Sequence, residues 1–281
     1  MSEWKSVSVI GMGYIGLPTC GIFASRGISV IGVDVSQRIV DSVNRGEVHI
    51  VEPDLDAVIQ TAVANGKLRA STTPEPADAF IIAVPTPITN DFKPDISYVL
   101  EAGRSISKVL KKGDLIVLES TSPVGTTRQL SMLLEGLRPD LTFPGKAGED
   151  ADILVAYSPE RVLPGKVLTE LVANDRSVGG LSETSSDKAL SLYASFVEGK
   201  IFRTSAEVAE LVKLVENAFR DVNIAFANEL AEVCDHLNLN VWEVIRLANR
   251  HPRVSILQPG PGVGGHCIAV DPYFVIHAAP N

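Results

Sequence analysis

Three groups of side chains in this 281-residue sequence combine residue types and spacings that could do chemistry. The first is Cys267, at the end of "GPGVGGHCIAVDP" (260–272), where four of the first six residues are glycine and Asp271 follows four positions on. Glycine loses more conformational freedom on folding than any other residue, so such a cluster is kept only where its geometry is needed. A thiol carried on that loop marks a place that another molecule approaches closely. A thiolate is a nucleophile toward carbonyl carbon. The neighbouring pair His266-Cys267 does not form a metal site, because adjacent side chains rarely converge on one ion.

The second group is the uninterrupted Gly11-Met12-Gly13-Tyr14-Ile15-Gly16, which breaks the β-branched run Val7, Val9, Ile10. Gly11 permits a tight turn, Gly13 lets a pyrophosphate approach the backbone, and Gly16 allows close helix–strand packing. The following helix offers free N–H groups and the positive end of its dipole to phosphate. Asp34 ends the next β-branched run, where a carboxylate accepts hydrogen bonds from ribose hydroxyls and repels a 2′-phosphate. Strand, turn, helix, strand and acid arrive in order within 34 residues, a pattern that predicts NAD binding and disfavours NADP.

The third group is Lys213 and Asn217, four residues apart on one helix face. Such a pair can hold an oxyanion or a polarised hydroxyl. A lysine snorkelling over apolar neighbours explains the same spacing, and Leu214, Phe219 and Ile224 are expected to bury that side of the helix.

The elements that must position these groups follow from the periodicity. Strands are predicted at 6–10, 28–34 and 68–72, within 79–87, where a buried strand ends in a proline-stiffened loop, within 114–125, where a strand opens into a polar loop, and around 153–157, 177–178 and 200–203, with helices to about Arg26, over 36–44, 53–64 and 96–110. This is an α/β, Rossmann-type, doubly wound and mostly parallel sheet over residues 1–204. Ligands in such sheets lie outside the carboxyl ends of the strands, so Thr86, Glu119, Ser120, Thr121, Glu160 and Arg161 are placed to line a site. A long helix over Ala206–His236, opened by a Thr204/Glu207 capping box and free of Pro and Gly, begins a second region, 205–281, which also carries a small helical segment. At ~1.5 Å per residue it would run ~46 Å, enough to connect domains or support a dimer interface.

Composition limits the alternatives. A net charge of −9 without a Lys/Arg run offers no surface for nucleic acid. The apolar stretch Val7–Val33 is interrupted by glycines and Arg26, and a strand–turn–helix–strand unit fits it better than a membrane span or leader peptide. Three cysteines without regular spacing fit a reducing cytoplasm. Cys20 and Cys234 read as small core hydrophobes.

The motifs "VIGMGYIGLP", "AVPTP", "ESTSPVGTT", "SPERVLPG", "NDRSVGG", "ELVKLVENAFRDVNIAFANE" and "GPGVGGHCIAVDPY" occur in an order that resembles the nucleotide-sugar 6-dehydrogenases across essentially the whole chain. The resemblance implies oxidation of a sugar C6 alcohol to a carboxylate with two NAD⁺, acting on UDP-N-acetylmannosamine or on a sibling such as UDP-N-acetylglucosamine or UDP-glucose. It implies Cys267 as nucleophile, Lys213 and Asn217 at the oxyanion, Asp271 near the thiol, and Glu160 and Thr121 positioning substrate and water. Tyr14, Ile15, Val84, Pro85, Thr86, Ser120 and Thr121 would join Gly11, Gly13, Gly16 and Asp34 around the cofactor. Arg161, Arg250, Arg253 and Gly264 would reach the sugar nucleotide, and the long helix would pair two copies in a homodimer. It also implies a further UDP-binding domain beyond Asn281, hence weak sugar-nucleotide binding and poor turnover by this chain. A two-electron β-hydroxyacid dehydrogenase, with Cys267 dispensable, and an inactive NAD-binding module remain as alternatives.

Overall fold

The β-branched run that opens the sequence becomes β1 (Ser6–Ile10), an inner strand of an eight-stranded sheet in the computed structural model, which describes residues 4–265 and 267–279. The other strands are β2 (Ser29–Val33), β3 (Leu68–Ser71), β4 (Ala79–Ile82), β5 (Leu115–Leu118), β6 (Leu154–Tyr157), β7 (Arg176–Gly180) and β8 (Ile201–Ser205). Their order is 3-2-1-4-5-6-7-8. The first six are parallel, with Val9 opposite Gly32 on one side and Ile81 on the other. The 3-2-1-4-5-6 order is that of a doubly wound dinucleotide-binding sheet. β7 runs antiparallel to β6, and β8 runs parallel to β7. The short runs Ser177-Val178 and 200–203 carry no directional signal, so this reversal is not legible in them.

Helices α1 (Gly16–Ser25), α2 (Gln37–Asn44), α3 (Leu55–Ala64), α4 (Ser97–Ser107), α5 (Thr126–Leu137), α6 (Pro144–Ala147), α7 (Val167–Ala173) and α8 (Glu183–Tyr193) connect the strands. Side chains alternate between the faces of a strand, so each helix meets one half of the sheet's apolar residues. Val7, Val9, Ile81 and Val117 pack with Leu17 and Phe23 of α1, Ile59 of α3, Leu171 of α7 and Leu192 of α8. Ile10, Phe80, Ile82, Ile116 and Leu118 pack with Val99 and Ile106 of α4 and with Leu130 and Leu134 of α5. β4, β5 and β6 are buried at every position, as expected for parallel strands covered on both faces.

The long helix, α9, spans Ala206–His236 as the sequence predicts. Its cap differs from the expected capping box. Thr204 is taken up by the ladder opposite Gly179, and the next residue, Ser205, accepts the Val208 N–H at 3.3 Å. Glu207 instead meets Arg128 at 2.6 Å.

The chain forms two compact units, Met1–Pro87 with Asp95–Leu211, and Ile88–Pro94 with Val212–Asn281. The second holds most of α9 together with α10 (Val241–Ala248) and α11 (Asp271–Ala278). Its outlying segment is a turn in which Thr89 N–H donates to Lys93 O at 2.8 Å. The turn's Phe92 ring stacks on Tyr273 at 4.7 Å between centroids. Among the described residues no helix is long and apolar enough to cross a membrane.

Candidate active site

In the first unit the glycine motif joins β1 to α1. Gly11 adopts φ +96°, and a Cβ there would come within 2.5 Å of Ala83 O. A Cβ on Gly16 would stand 1.8 Å from Gly11 O, so the helix can begin where it does only without one. Gly13 is different: no atom lies within 4 Å of the position its Cβ would take. The two outer glycines are demanded by the fold, and the middle one leaves open space beside the start of α1, where Leu17 N–H donates to Gly13 O at 3.1 Å and Thr19 N–H to Ile15 O at 3.0 Å. Asp34, at the end of β2, accepts Met12 N–H at 3.1 Å and Ser36 N–H at 3.0 Å, one on each carboxylate oxygen. It therefore holds the glycine loop and keeps lone pairs for ribose hydroxyls. An open glycine at the start of a helix and a carboxylate at the neighbouring strand end fit a dinucleotide with an unmodified 2′-hydroxyl.

The ends of β4 and β5 are fastened together. Ser120 Oγ accepts Val84 N–H at 2.9 Å and donates to Val84 O at 2.7 Å, and Thr86 Oγ1 donates to Thr121 O at 2.5 Å. Ser120 is buried in this tether, Val84, Thr86 and Thr121 are half-buried, and Pro85 is exposed. Tyr14, exposed on the glycine loop, donates to Glu52 Oε2 at 3.0 Å. The buried Glu52 also accepts Gly165 N–H at 2.9 Å and Val167 N–H at 2.6 Å, so one carboxylate joins the glycine loop to the loop after β6. That loop carries Glu160, whose carboxylate turns inward to Arg176 at 2.9 Å, and Arg161, whose guanidinium donates to Asp175 O.

In the second unit, Lys213 and Asn217 on α9 and Asp271 and Cys267 at the foot of α11 form one cluster. Asn217 Nδ2 donates to Asp271 Oδ2 at 2.5 Å. The backbone N–H groups of Val270 and Asp271 both donate to Cys267 O, at 3.0 and 2.9 Å, which fixes the cysteine beneath the helix start. Pro272 follows at a position where a missing N–H costs no helical bond. Burial pushes the Asp271 carboxyl up, with the Asn217 hydrogen bond and the Lys213 charge opposing. Cys267 is an exposed residue, yet partial desolvation of its thiol and then the Asp271 charge hold that thiol above its ordinary range, while Lys213 pulls it down. Lys213 thus acts on both acids of the cluster.

Among the glycines before the cysteine, Gly262 and Gly265 take positive φ, and a Cβ on Gly260, Gly262, Gly264 or Gly265 would meet nothing within 4 Å. Arg250 and Arg253 are exposed on the loop after α10, which Asn249 pins by exchanging hydrogen bonds with Ile256 at 3.0 and 2.7 Å. His266 lies outside the described residues.

Leu214 is buried as expected, but Phe219 is 64% exposed. At 3.6 residues per turn it falls on the opposite side of α9 from Lys213 and Asn217. Cys20 and Cys234 are buried, and burial raises the Cys20 thiol well out of the reactive range. Sequence reading missed Glu52, Arg176 and Glu210. Glu210 lies buried in α9 and caps α5 by accepting Gly125 N–H at 2.6 Å and Thr127 N–H at 2.8 Å. Of these only Arg176 is signalled in the sequence, by "NDRSVGG", a motif without a stated role.

Residues 5–197 match the NAD binding domain of the UDP-glucose/GDP-mannose dehydrogenase family, and residues 207–281 match that family's central domain. The chain belongs to this family. The residues matched to the NAD binding domain, 5–197, fall in the first unit apart from 88–94. The chain is 61% identical over 279 residues to a UDP-N-acetyl-D-mannosamine dehydrogenase of Escherichia coli K12. It is also 61% identical, over 279 residues, to an NDP-N-acetyl-D-galactosaminuronic acid dehydrogenase of Ralstonia nicotianae. In each case 99% of this chain covers 66% of the relative. A solved UDP-D-ManNAc dehydrogenase from Pyrococcus horikoshii superposes with a TM-score of 0.93 at 44% identity, over 98% of this chain and 65% of that one. The 3-hydroxyisobutyrate dehydrogenase of Mycobacterium tuberculosis, at 16% identity and a TM-score of 0.62, shares the fold alone.

Proposed function

We propose that this chain carries the cofactor-binding and thiol centres of an NAD-dependent dehydrogenase that oxidises the C6 alcohol of UDP-N-acetylmannosamine to the carboxylate, a four-electron change. One observation carries the reading: Cys267, Asp271, Asn217 and Lys213 form a single cluster, and only the second oxidation needs a thiol. NAD, when bound, supplies the hydride acceptor for each two-electron step. In the first step Lys213 and Asn217 hold the C6 oxygen as its proton leaves. In the second, Cys267 Sγ adds to the aldehyde carbon, forming a C–S bond and an oxyanion that Lys213 stabilises. Loss of hydride leaves a thioester. Water adds to its carbonyl, the C–S bond breaks, and the acid leaves with the thiol restored. Asp271 assists proton movement beside the sulfur, and Glu160 and Thr121 position sugar and water. Arg161, Arg250, Arg253 and Gly264 contact the sugar nucleotide.

We also propose a homodimer. Val215, Phe219, Val222, Phe226 and Val233 recur every three to four residues, or twice that, along α9, each about half exposed or more. A continuous apolar seam of this kind marks a helix face that another copy covers. Residence in a reducing cytoplasm is part of the reading, consistent with three free cysteines.

The test counts NADH formed per UDP-N-acetylmannosamine consumed, beside Cys267→Ser. Two NADH per sugar, with none of the acid formed by the variant, supports the reading. NAD binding without NADH from this sugar, UDP-N-acetylgalactosamine, UDP-N-acetylglucosamine or UDP-glucose would sink it. Faster turnover of one of the other three would reassign the substrate.

A further inference from the structure

The motif Asn174-Asp175-Arg176 has no part in the chemistry above, yet it makes the closest polar contacts to the loop that carries Glu160. Arg176 begins β7, is 4% exposed, and lies where the ends of β5 and β6 meet. Nη2 donates to Glu160 Oε2 at 2.9 Å, and Nη1 donates to Ser158 Oγ at 3.2 Å and to Glu119 Oε1 at 3.3 Å. Its guanidinium sits 4.5 Å from the ring centroid of the buried Tyr193, whose hydroxyl donates to Glu119 Oε1 at 2.6 Å. The other Glu160 oxygen accepts Arg161 N–H at 2.5 Å. Asn174 Nδ2 donates to Arg161 O at 2.9 Å, and Asp175 O accepts from the Arg161 guanidinium. Arg176 therefore holds Ser158 and Glu160, while Asn174 and Asp175 hold Arg161.

We propose that Arg176 is the positioning residue for Glu160, and that Asn174–Arg176 forms the support that fixes the 158–165 loop. The planar guanidinium suits this role because its rigid fork aims donors at two carboxylates and a hydroxyl at once, whereas an ammonium has no fixed fork. Two carboxylates face one cation. Burial raises the Glu119 carboxyl, with Arg176 opposing and the Glu160 charge adding to the rise. Glu119 Oε2 has no partner among the described residues. Glu160 is 9% exposed, so its orientation is set by these partners and not by solvent.

The inference rests on the role proposed for Glu160, and its test uses two readouts so that the two can fail separately. The first is amide hydrogen exchange of 158–167 in the unaltered chain, Arg176→Met and Arg176→Lys. Exchange at least tenfold faster in Arg176→Met, intermediate in Arg176→Lys, with β1, β4 and NAD affinity unchanged, is expected. Unchanged loop exchange, or faster exchange throughout the sheet, overturns the proposal. Should Arg176→Met not fold, Arg176→Lys alone decides by the same criterion. The second readout is a double-mutant cycle in turnover. Displacing a positioned group by about 1 Å costs on the order of 100-fold in rate. Arg176→Met is expected to lower kcat by that order in the unaltered background and by less than twofold in Glu160→Gln. An equal loss in both backgrounds shows that Arg176 does not act through Glu160. If the unaltered chain gives no turnover, the reading of function fails while hydrogen exchange still decides the support.

Discussion

Two glycine clusters lie 250 residues apart and obey opposite physics. In the first unit Gly11 and Gly16 are crowded, since a methyl group on either would run into backbone oxygen at 2.5 or 1.8 Å. In the second, Gly260, Gly262, Gly264 and Gly265 face open space, and only Gly262 and Gly265 need glycine for their positive φ. The outer glycines of the first cluster are explained by the protein itself. Gly260 and Gly264 are not, and the proposed function accounts for them as room for the sugar nucleotide. Gly13 belongs with them in this respect, because it too has nothing beside it.

Gly16→Ala should break the comparison hardest. The Cβ cannot be accommodated by rotating a side chain, because the obstacle is the carbonyl of Gly11. Overpacking of a close backbone approach costs about 3 kcal/mol or more. Thermal unfolding should shift down by many degrees, with NAD affinity lost as well. A melting temperature within a degree of the unaltered chain would mean that α1 can start elsewhere.

Glu52→Ala comes next. It strips the acceptor from Val167 N–H, Gly165 N–H and Tyr14 Oη together. A buried donor left unpaired costs about 1–3 kcal/mol, and Val167 is buried. Stability should fall by roughly that amount, and NAD should bind more weakly because Tyr14 on the glycine loop loses its anchor. Glu52→Gln, which keeps an acceptor oxygen, should lose less on both counts. Equal losses would assign the effect to packing.

These two positions differ in how they can be read. The requirement at Gly16 is local: β-branched strand, glycine turn and helix are consecutive, and their periodicities state the fold. The same holds for α9, predicted and found over Ala206–His236. Glu52 lies more than 110 residues from the amides it holds, and Arg176 is 57 residues from Glu119. Nothing in periodicity reports such partners. Ser120 illustrates the limit at a single residue: a serine at a strand end reads equally as site lining or as a turn residue or helix cap, and its two bonds to Val84 make a tether that neither reading states. The reversal of β7 is of the same kind, because strand direction depends on pairing and not on composition.

Gly264→Ala sharpens the contrast from the other side. The position has no crowding and no positive φ, so alanine fits. Where the native backbone suits it, Gly→Ala stabilises by about 0.4–1 kcal/mol through the unfolded chain. The melting temperature should hold or rise slightly while KM for the sugar nucleotide rises. A loss of stability would place Gly264 with Gly16, and an unchanged KM would remove the outside molecule from the explanation.

The smallest effect tests what the open loop presents. The Cys267 thiol is held above its ordinary range by desolvation and by the Asp271 charge, with Lys213 opposing. A raised pKa means less thiolate at a given pH, and thiolate is the species that alkylates. The rate of iodoacetamide labelling should therefore climb through a midpoint above that of an ordinary thiol. Asp271→Asn removes a negative charge that disfavours the thiolate, so the midpoint should fall and labelling at pH 8 should accelerate a few-fold. Lys213→Ala removes the opposing charge and should slow it. A charge a few ångströms away across partly wet surroundings acts through a high effective dielectric, which keeps both changes modest. If neither substitution moves the midpoint, the thiol is tuned by burial alone, and Lys213 acts on the oxyanion without acting on the sulfur.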